Sequence, residues 1–218
     1  MRNGTNAVGA VVFSLLMVSS MIVGGVAVSA GEVTAEPTGL YAGGAGTVED
    51  PYKISNWTHL NNTRQNLDAN FTLQNELNAT LKDYDDHANE TANSGAGWIP
   101  IGNTSDRFVG SFDGDNNSIS GLVIYQSNSE LGLFGQIGSG GSIKNSKLSN
   151  VNITANSSKN IGGLVGDFGG DTISNTAISG TVTTTNESGL VFVGGLVGTF
   201  RGTEIVHSSA NVRVSSPN

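Results

Sequence analysis

Three Gly-Leu-x-Gly tetrads at a near-constant spacing constrain the fold of this chain more than any other feature. They start 31 and 32 residues apart, at Gly132-Leu133-Phe134-Gly135, Gly163-Leu164-Val165-Gly166 and Gly195-Leu196-Val197-Gly198. Each tetrad is followed by an isoleucine, at Ile143, Ile173 and Ile205, and five residues later by Leu148, Ile178 and Ala210. Two apolar markers at matched offsets in three copies indicate a true internal repeat.

A repeat of this length, made of short apolar runs separated by Gly, Asn and Ser, cannot bury a hydrophobic face alone and must stack on its neighbours. The sequence therefore predicts an all-β solenoid, a parallel β-helix with one coil per repeat. The tetrad leucines and the following isoleucines are expected to form inward columns, and the glycines to allow corners that a Cβ would block. Turn asparagines such as Asn145 and Asn175 are expected to stack in ladders. The alternative fold is a β-sandwich with accidental repetition.

The region before the repeats contains the only helical pattern of the mature chain. Ser55 is a candidate cap for a helix over residues 56–65, with Trp57 and Leu60 on one side. Such a helix is a natural N-terminal cap, because an open stack of coils exposes edge strands. Residues 83–97 are polar and glycine-containing, which predicts a long surface loop. Further strands are expected around residues 71–77 and 119–125.

The N-terminus carries a membrane-directed segment. No charged residue lies between Arg2 and Glu32, and residues 8–28 are almost wholly apolar. Small residues before Gly31 predict a secretory signal peptide over residues 1–30, cleaved between Ala30 and Gly31. The alternative is an uncleaved anchor, since 21 apolar residues can span a hydrocarbon core of about 30 Å. Both interpretations predict export.

The predicted organisation has four parts. They are a signal peptide (1–30), a flexible proline- and glycine-containing linker (31–48), an N-terminal cap region with a polar loop (49–97) and the β-helix repeats (98–218).

Asn-x-Ser/Thr triplets are unusually frequent. With Asn3 included there are eleven, against about five expected from the composition. In an exported protein each is a candidate glycan acceptor, although asparagine is also an ordinary turn residue. The ten candidates after the predicted signal peptide are Asn56, Asn61, Asn70, Asn78, Asn89, Asn103, Asn116, Asn152, Asn156 and Asn186.

Charge and composition restrict the partners. The net charge is −8, with ten Lys and Arg scattered singly against 18 acidic residues, which excludes phosphate-rich nucleic acid as an expected partner. Gly, Asn, Ser and Thr supply 99 of 218 residues, so polarity comes mainly from amides and hydroxyls. The chain has no cysteine, which excludes a disulfide framework or a cysteine zinc cluster.

With these tetrads the sequence resembles the GLUG-motif family of secreted and cell-surface repeat proteins. The resemblance extends to Gly46-Thr47-Val48-Glu49-Asp50-Pro51-Tyr52-Lys53-Ile54, Trp98-Ile99-Pro100-Ile101-Gly102, Phe108-Val109-Gly110-Ser111-Phe112-Asp113-Gly114 and Ile119-Ser120-Gly121-Leu122. It implies a right-handed parallel β-helix and a surface or adhesive role, and it brings no catalytic residues. One departure is Phe134, where the motif prefers valine.

The densest group of titratable residues is Asp83, Asp85, Asp86 and His87. Glycosidic cleavage needs two carboxyl groups facing each other across a substrate cleft. A charge run within one loop is more typical of a solvated surface.

The run Asp113-Gly114-Asp115-Asn116-Asn117 has the acceptor spacing of a calcium loop. Ser118 replaces the glycine at position six and Ile124 the glutamate at position twelve, which favours a turn. No cofactor is predicted, with weak calcium binding at turn aspartates left open. The isolated histidines His59, His87 and His207 are interpreted as surface or cap residues. Trp98, Tyr125 and Phe168 could stack on a sugar ring if exposed, but core packing is favoured.

The sequence thus predicts a non-enzymatic, exported and N-glycosylated β-helix protein, secreted or at the cell surface, with an adhesive or envelope-structural role. Its expected partners are envelope polysaccharide or surface proteins. Membrane contact is expected only through the N-terminal segment, if that segment stays uncleaved. The alternatives are a carbohydrate-active β-helix enzyme, a polysaccharide lyase or hydrolase, and a fragment of a larger surface adhesin.

Overall fold

The computed structural model describes residues 39–156, 160–185 and 191–215. The predicted signal peptide, its cleavage site at Ala30 and Gly31, and Asn186 lie outside these ranges. The strands are β1 (Tyr52–Ile54), β2 (Asn70–Leu73), β3 (Ser111–Asp113), β4 (Ser118–Ser120), β5 (Val123–Gln126), β6 (Glu130–Leu131), β7 (Phe134–Ile137), β8 (Ser142–Lys144), β9 (Lys147–Ala155), β10 (Asn160–Gly162), β11 (Val165–Phe168), β12 (Thr172–Ser174), β13 (Ala177–Thr184), β14 (Phe192–Gly194), β15 (Val197–Phe200), β16 (Glu204–Val206) and β17 (Ser209–Ser215).

These strands form four parallel sheets. Sheet A has the order β1-β2-β3-β8-β12-β16, and sheet B has the order β4-β9-β13-β17 with β5 also paired to β9. Sheet C contains β7, β11 and β15, and sheet D contains β6, β10 and β14. The chain passes through D, C, A and B three times, in coil 1 (residues 130–155), coil 2 (160–184) and coil 3 (192–215). The fold is therefore the predicted parallel β-helix.

The register places repeated residues in columns. Ile143, Ile173 and Ile205 are aligned in sheet A, and Leu148, Ile178 and Ala210 are aligned in sheet B. These alignments confirm the offsets read from the repeat. Each coil can bury its apolar residues because the next coil places a similar residue directly against them.

The repeat loses its spacing after the second marker because β9 has a bulge. Leu148 pairs with Ile178 and Val151 pairs with Gly180, so β9 holds one more residue than β13 in this interval. Asn150, inside the interval, has a φ of 53°. An inserted residue of this kind is a β-bulge, which bends the strand locally. Beyond it the columns resume, with Ile153 opposite Val182.

A short helix caps the N-terminal side of the core. Helix α1 (Trp57–Asn62) continues into a 3₁₀ turn (Thr63–Gln65), and it buries Trp57 and Leu60 completely. Its N-cap is Asn56, whose side chain accepts a hydrogen bond from the His59 amide at 2.7 Å. The cap was predicted one residue earlier, at Ser55. Asparagine is at least as good an N-cap as serine.

Residues 39–48 are packed, although the sequence predicts a linker there. Tyr41 stacks on Tyr52 with ring centres 4.2 Å apart, and backbone hydrogen bonds join Ala42 and Gly43 to Lys53. Burial raises the pKa of Tyr41 to about 12, with a smaller contribution from the neighbouring Tyr52. This segment therefore belongs to the folded unit.

The predicted loop over residues 83–97 contains one single-turn helix, α2 (Tyr84–His87), and a turn over Ala92–Gly95 in which Asn93 and Ser94 have left-handed φ values of 51° and 61°. The strand expected around residues 119–125 is split into β4 and β5, and Gly121 between them has a φ of +83°. The Tyr84 hydroxyl donates to the Gly121 carbonyl at 2.7 Å, which fixes α2 against this break.

The two ends of the stack differ. The core from Ile54 to Val182 consists of side chains that are at most 3% exposed, whereas no residue of coil 3 is classed as buried. Within residues 39–156, 160–185 and 191–215, no helix is both long and apolar enough to cross a membrane.

Candidate functional site

The tetrads form the tight connections from sheet D to sheet C. A Cβ on Gly162, just before the second tetrad, would lie 2.1 Å from the Val165 oxygen, and on Gly194 it would lie 1.9 Å from the Val197 oxygen. Inside the tetrads, a Cβ on Gly166 would lie 2.8 Å from the Gly135 oxygen. These distances are too short for any side chain, so the close approach of the backbones explains why glycine stands at these positions.

The apolar tetrad residues fill the core. Leu133, Leu164 and Val165 are fully buried, and Leu196 is partly exposed in coil 3. Phe134, which stands where the other two tetrads have valine, packs against Phe108 at 5.0 Å and Phe112 at 5.6 Å between ring centres. The larger ring belongs to an aromatic cluster where the repeats meet the N-terminal region. The twelve tetrad residues therefore position the coils and contribute no exposed chemical group in coils 1 and 2.

Polar side chains form ladders across the coils at the turn after sheet A. Asn175 donates to Asn145 at 3.3 Å, and Asn145 donates to the Asp113 carboxylate at 3.0 Å. Asp113 also pairs with Lys144 at 3.2 Å. These bonds satisfy side-chain amides along the stack, as the repeat predicts.

A hydroxyl column runs beside the amide ladder. The hydroxyls of Ser146, Thr176 and Ser208 each donate to the backbone carbonyl two residues earlier, at 2.9–3.0 Å. On sheet B the hydroxyls of Thr183 and Ser215 lie 3.1 Å apart. The turns after sheet A thus carry amides that bond from one coil to the next and hydroxyls that bond to the backbone of their own turn.

The described candidate glycan acceptors differ in exposure. Asn103, Asn116 and Asn152 are exposed, Asn89 is 9% exposed, and the others are intermediate, namely Asn56, Asn61, Asn70, Asn78 and Asn156. A glycan is attached through the side-chain nitrogen. That nitrogen donates to Asp85 in Asn89 and to the Gly46 carbonyl in Asn70. The three exposed asparagines are the acceptors best suited to carry a glycan on the folded protein.

The acidic group at residues 83–87 is tied to the capping helix. Asp83 accepts a hydrogen bond from the Thr58 amide at 2.7 Å, near the start of α1. The Thr58 hydroxyl and the His87 Nε2 are 3.1 Å apart. Burial lowers the pKa of His87 below its ordinary value, with Arg64 adding to this effect and two nearby aspartates opposing it. These contacts give the group a role in holding α2 against α1.

The run that starts at Asp113 forms a turn. Asp115 and Asn116 both have left-handed φ values, 47° and 61°, and the Asp113 carboxylate accepts from the Asp115 amide at 2.9 Å. Across the described ranges, no three His, Cys, Asp or Glu side chains are grouped so that they could hold a metal ion.

The remaining histidines and aromatic candidates are in different environments. His59 is buried and contacts Ser55, while His207 is exposed. Trp98 is fully buried beneath the Arg64 guanidinium, which lies 4.5 Å from its ring centre. Phe168 is also buried, whereas Tyr125 is 54% exposed. Of the three aromatic candidates for sugar stacking, Tyr125 alone presents its ring to solvent.

Two adjoining cavities near the start of coil 1 each contain a carboxylate. Their volumes are about 300 and 280 Å³, with Glu130 in the first and Asp106 in the second. They share the wall formed by Ile99, Pro100, Gly102 and Asn103. Glu130 and Asp106 are 24 residues apart and follow no motif, so no sequence pattern identifies them as a pair.

A buried carboxylate on sheet C was also missed. Asp167 is 3% exposed, aligned with Gln136 of coil 1, and it accepts hydrogen bonds from Gln136 and from Arg201 of coil 3. One sequence signal was available: Gln136 and Asp167 occupy matched positions, each two residues after the third residue of its tetrad, Phe134 or Val165.

No family model matches the chain. The chain is 34% identical over 184 residues to halomucin of Haloquadratum walsbyi, an alignment covering 82% of this chain and 2% of halomucin. It is 36% identical over 116 residues to a protein of Evansella cellulosilytica provisionally named a Gly-rich membrane protein, covering 53% of this chain and 13% of that protein.

Among solved structures, the chain is similar to that of a Bacteroides ovatus protein provisionally named an immunoglobulin A1 protease. The TM-score is 0.40 at 16% identity, over 82% of this chain and 71% of that one. In the two sequence relatives, halomucin and the Evansella cellulosilytica protein, the chain spans only 2% and 13% of the full length.

Proposed function

We propose that this chain is an exported cell-surface or envelope protein whose β-helix has a structural or adhesive role. The names of its relatives, a halomucin and a membrane protein, support a surface or envelope location. A non-enzymatic role agrees with tetrads that pack the core and an acidic group that holds the capping helix.

The observation that carries this proposal is the set of in-register ladders at the coil turns. Asn175 of coil 2 bonds to Asn145 of coil 1, and Asn145 bonds to Asp113 at the end of β3, beside the hydroxyl column of Ser146, Thr176 and Ser208. Side chains engaged in this way stabilise the stack and give its turns a surface mainly of amides and hydroxyls, with the Asp113–Lys144 ion pair beside them. Such a surface suits a durable envelope component better than a catalyst, which needs titratable groups held towards a substrate.

We further propose that glycans are attached at the exposed asparagines Asn103, Asn116 and Asn152, on a chain that begins at Gly31 after signal cleavage. The test is the intact mass of the native protein in cell envelope and culture medium, before and after glycan removal. A glycan-shifted species starting at Gly31 is expected. An unmodified cytoplasmic species that retains Met1 would contradict export and glycan display together.

A matched pair of variants locates the glycans. Replacing Asn103, Asn116 and Asn152 by Gln is expected to remove most of the glycan mass. The control is Asn211→Gln, because Asn211 is also exposed but is not in an Asn-x-Ser/Thr triplet, and its glycan mass should be unchanged.

A carbohydrate-active enzyme is the second candidate function, favoured by the adjoining cavities that contain Glu130 and Asp106. Paired carboxyl groups are the usual machinery of glycoside hydrolysis. The test is release of reducing ends from envelope polysaccharide. Activity that is lost in Glu130→Gln and Asp106→Asn, but retained in a control variant of the exposed Glu76, would support this function over a structural role.

A further inference from the structure

A third cavity lies on the outer side of sheet C, where two arginines from distant parts of the chain meet. It has a volume of about 330 Å³ and is lined by Arg107, Gln136, Ile137, Gly138, Ser139, Gly169 and Arg201. This volume lies within the range of about 300–1,000 Å³ that is typical of small-molecule sites. The cavity is separate from the two that contain Glu130 and Asp106.

Both arginines are held beside the cavity by contacts of the fold. The stem of Arg107 lies over Gly138, where an added Cβ would be 3.2 Å from the arginine Cδ. Arg201 is anchored by its ion pair with Asp167, while 59% of its side chain stays exposed. Two of the five arginines of a chain with net charge −8 therefore converge here. Of the seven residues that line the cavity, only the two arginines are charged, which favours an anionic ligand.

Gln136 lines the cavity and bonds to Asp167, which is not itself a lining residue. Gln136 is 5% exposed and Asp167 is 3% exposed. The Gln136 Nε2 donates to Asp167 Oδ2 at 3.2 Å. The Gln136 Oε1 and the Asp167 Oδ1 are buried and accept no hydrogen bond. Buried acceptors without donors are uncommon in native proteins and costly, so a ligand that brings an O–H group to Gln136 would satisfy one of the two.

From these features we propose that this cavity binds an anionic sugar unit of an acidic polysaccharide, a hexuronate being the simplest case. The guanidinium groups of Arg107 and Arg201 would receive the carboxylate. A hydroxyl group of the sugar would donate towards Gln136. An acidic peptide offers the anion but lacks the adjacent hydroxyl donors, so it fits the site less well. The inference rests on the proposed surface function, for which it names a class of partner.

Isothermal titration calorimetry with the purified, unglycosylated chain tests the proposal. The probe is a trigalacturonate, compared with a neutral trisaccharide, a sulfated trisaccharide and a triaspartate. We expect the trigalacturonate to bind, and the neutral sugar and the peptide to bind at least about tenfold more weakly. Binding of the sulfated sugar as well would mean that the site takes either anionic group on a sugar. Equal binding of the neutral sugar or of the peptide would overturn the assignment.

Variants locate the binding. Arg107→Gln removes one guanidinium group from an exposed position and is expected to weaken trigalacturonate binding about tenfold. Arg213→Gln is the matched control, because Arg213 is exposed on coil 3 but does not line the cavity, and its affinity should be unchanged. If Arg107→Gln and Arg213→Gln bound trigalacturonate with equal affinity, the assignment of binding to this cavity would be wrong.

Arg201→Gln leaves the buried Asp167 without its cationic partner and can fail to fold for that reason alone. The double variant Asp167→Asn with Arg201→Gln removes both charges, and circular dichroism shows whether it is folded. A folded double variant is expected to bind at least about tenfold more weakly, and full affinity would count against the proposal.

The sugar-binding test and the test of the proposed surface function can fail independently of each other. A protein that is exported and glycosylated but binds no anionic sugar overturns this inference alone. A protein that binds trigalacturonate in the calorimeter but stays in the cytoplasm overturns the surface role alone.

Discussion

Asparagine is a frequent turn residue in the described part of this chain. Five asparagines in the described ranges have left-handed φ values near 50–60°: Asn93, Asn116, Asn145, Asn150 and Asn175. Asparagine tolerates this conformation better than most residues with a side chain. Only Asn116 of these five also begins an Asn-x-Ser/Thr triplet. The turns therefore account for part of the asparagine content and for little of the excess of triplets, which is why the glycan prediction needs its own measurement.

At the residue scale, Gly162→Ala tests the requirement for glycine beside a tetrad. The new Cβ would lie 2.1 Å from the Val165 oxygen and 2.7 Å from the Gly198 nitrogen. We expect the free energy of unfolding, measured with urea, to fall by about 2–3 kcal/mol. Gly169→Ala is the control, because its nearest neighbour is at an ordinary 3.4 Å. If both variants were equally stable, the close approach would not constrain the fold.

A second prediction concerns the pH dependence set by His87. Burial lowers its pKa in the folded protein, so the unfolded chain binds the proton more readily. Its contribution to stability is therefore present above the ordinary histidine pKa of about 6.5 and is lost as the pH falls below it.

Urea unfolding between about pH 8 and 5 should show the stability of the wild-type protein falling towards acid, and His87→Gln should reduce that slope. The other histidines are present in both proteins, so the difference reports His87. An unchanged slope would mean that the Thr58 contact does not depend on neutral His87.

At the scale of elements, structural features that recur in every coil could be predicted from the sequence, whereas features that occur only once could not. The columns of Ile143 and Leu148 follow from matched offsets, because in-register stacking requires equal spacing. The bulge at Asn150 broke that spacing and could be placed only with the pairing known. The packing of Tyr41 on Tyr52 depends on the fold and leaves no local pattern. The arginine cavity was missed for the same reason, since Arg107 and Arg201 are 94 residues apart.

The amide ladder is the element whose contribution can be measured by substitution. Asn145 has a φ of 50° and bonds to both Asp113 and Asn175. Asn145→Gly keeps the turn conformation and removes the ladder, and it is expected to cost about 1 kcal/mol. Asn145→Ala also introduces left-handed strain and should cost about 1–2 kcal/mol more. Urea unfolding of both variants separates the two effects, and equal stabilities would show that the turn is not held left-handed.

At the scale of the whole molecule, the two ends of the stack face different surroundings. Helix α1 covers the N-terminal side, whereas Phe192, Phe200, Ile205 and Val214 of coil 3 are 39–48% exposed. In sheet A, Ile205 is aligned with Ile173, which is fully buried. Repeat stacks expose apolar residues at a coil that no neighbour covers.

Substitution at these two aligned positions tests the difference between the coils. Ile173→Lys buries a charge and is expected to destabilise the protein by more than about 4 kcal/mol. Ile205→Lys, 39% exposed in the native chain, should cost less than about 1 kcal/mol. Thermal unfolding of the two variants gives the comparison. Equal losses would show that coil 3 is covered in solution.

The parallel register also determines how the protein responds to mechanical force. The hydrogen bonds between coils run along the solenoid axis, because they join strands of successive coils. Tension along that axis would load the bonds of one coil boundary at a time, so the coils would separate stepwise. Tension along the strands would instead shear many bonds together. A layer built from such molecules would be stiff in one direction and extensible in the other.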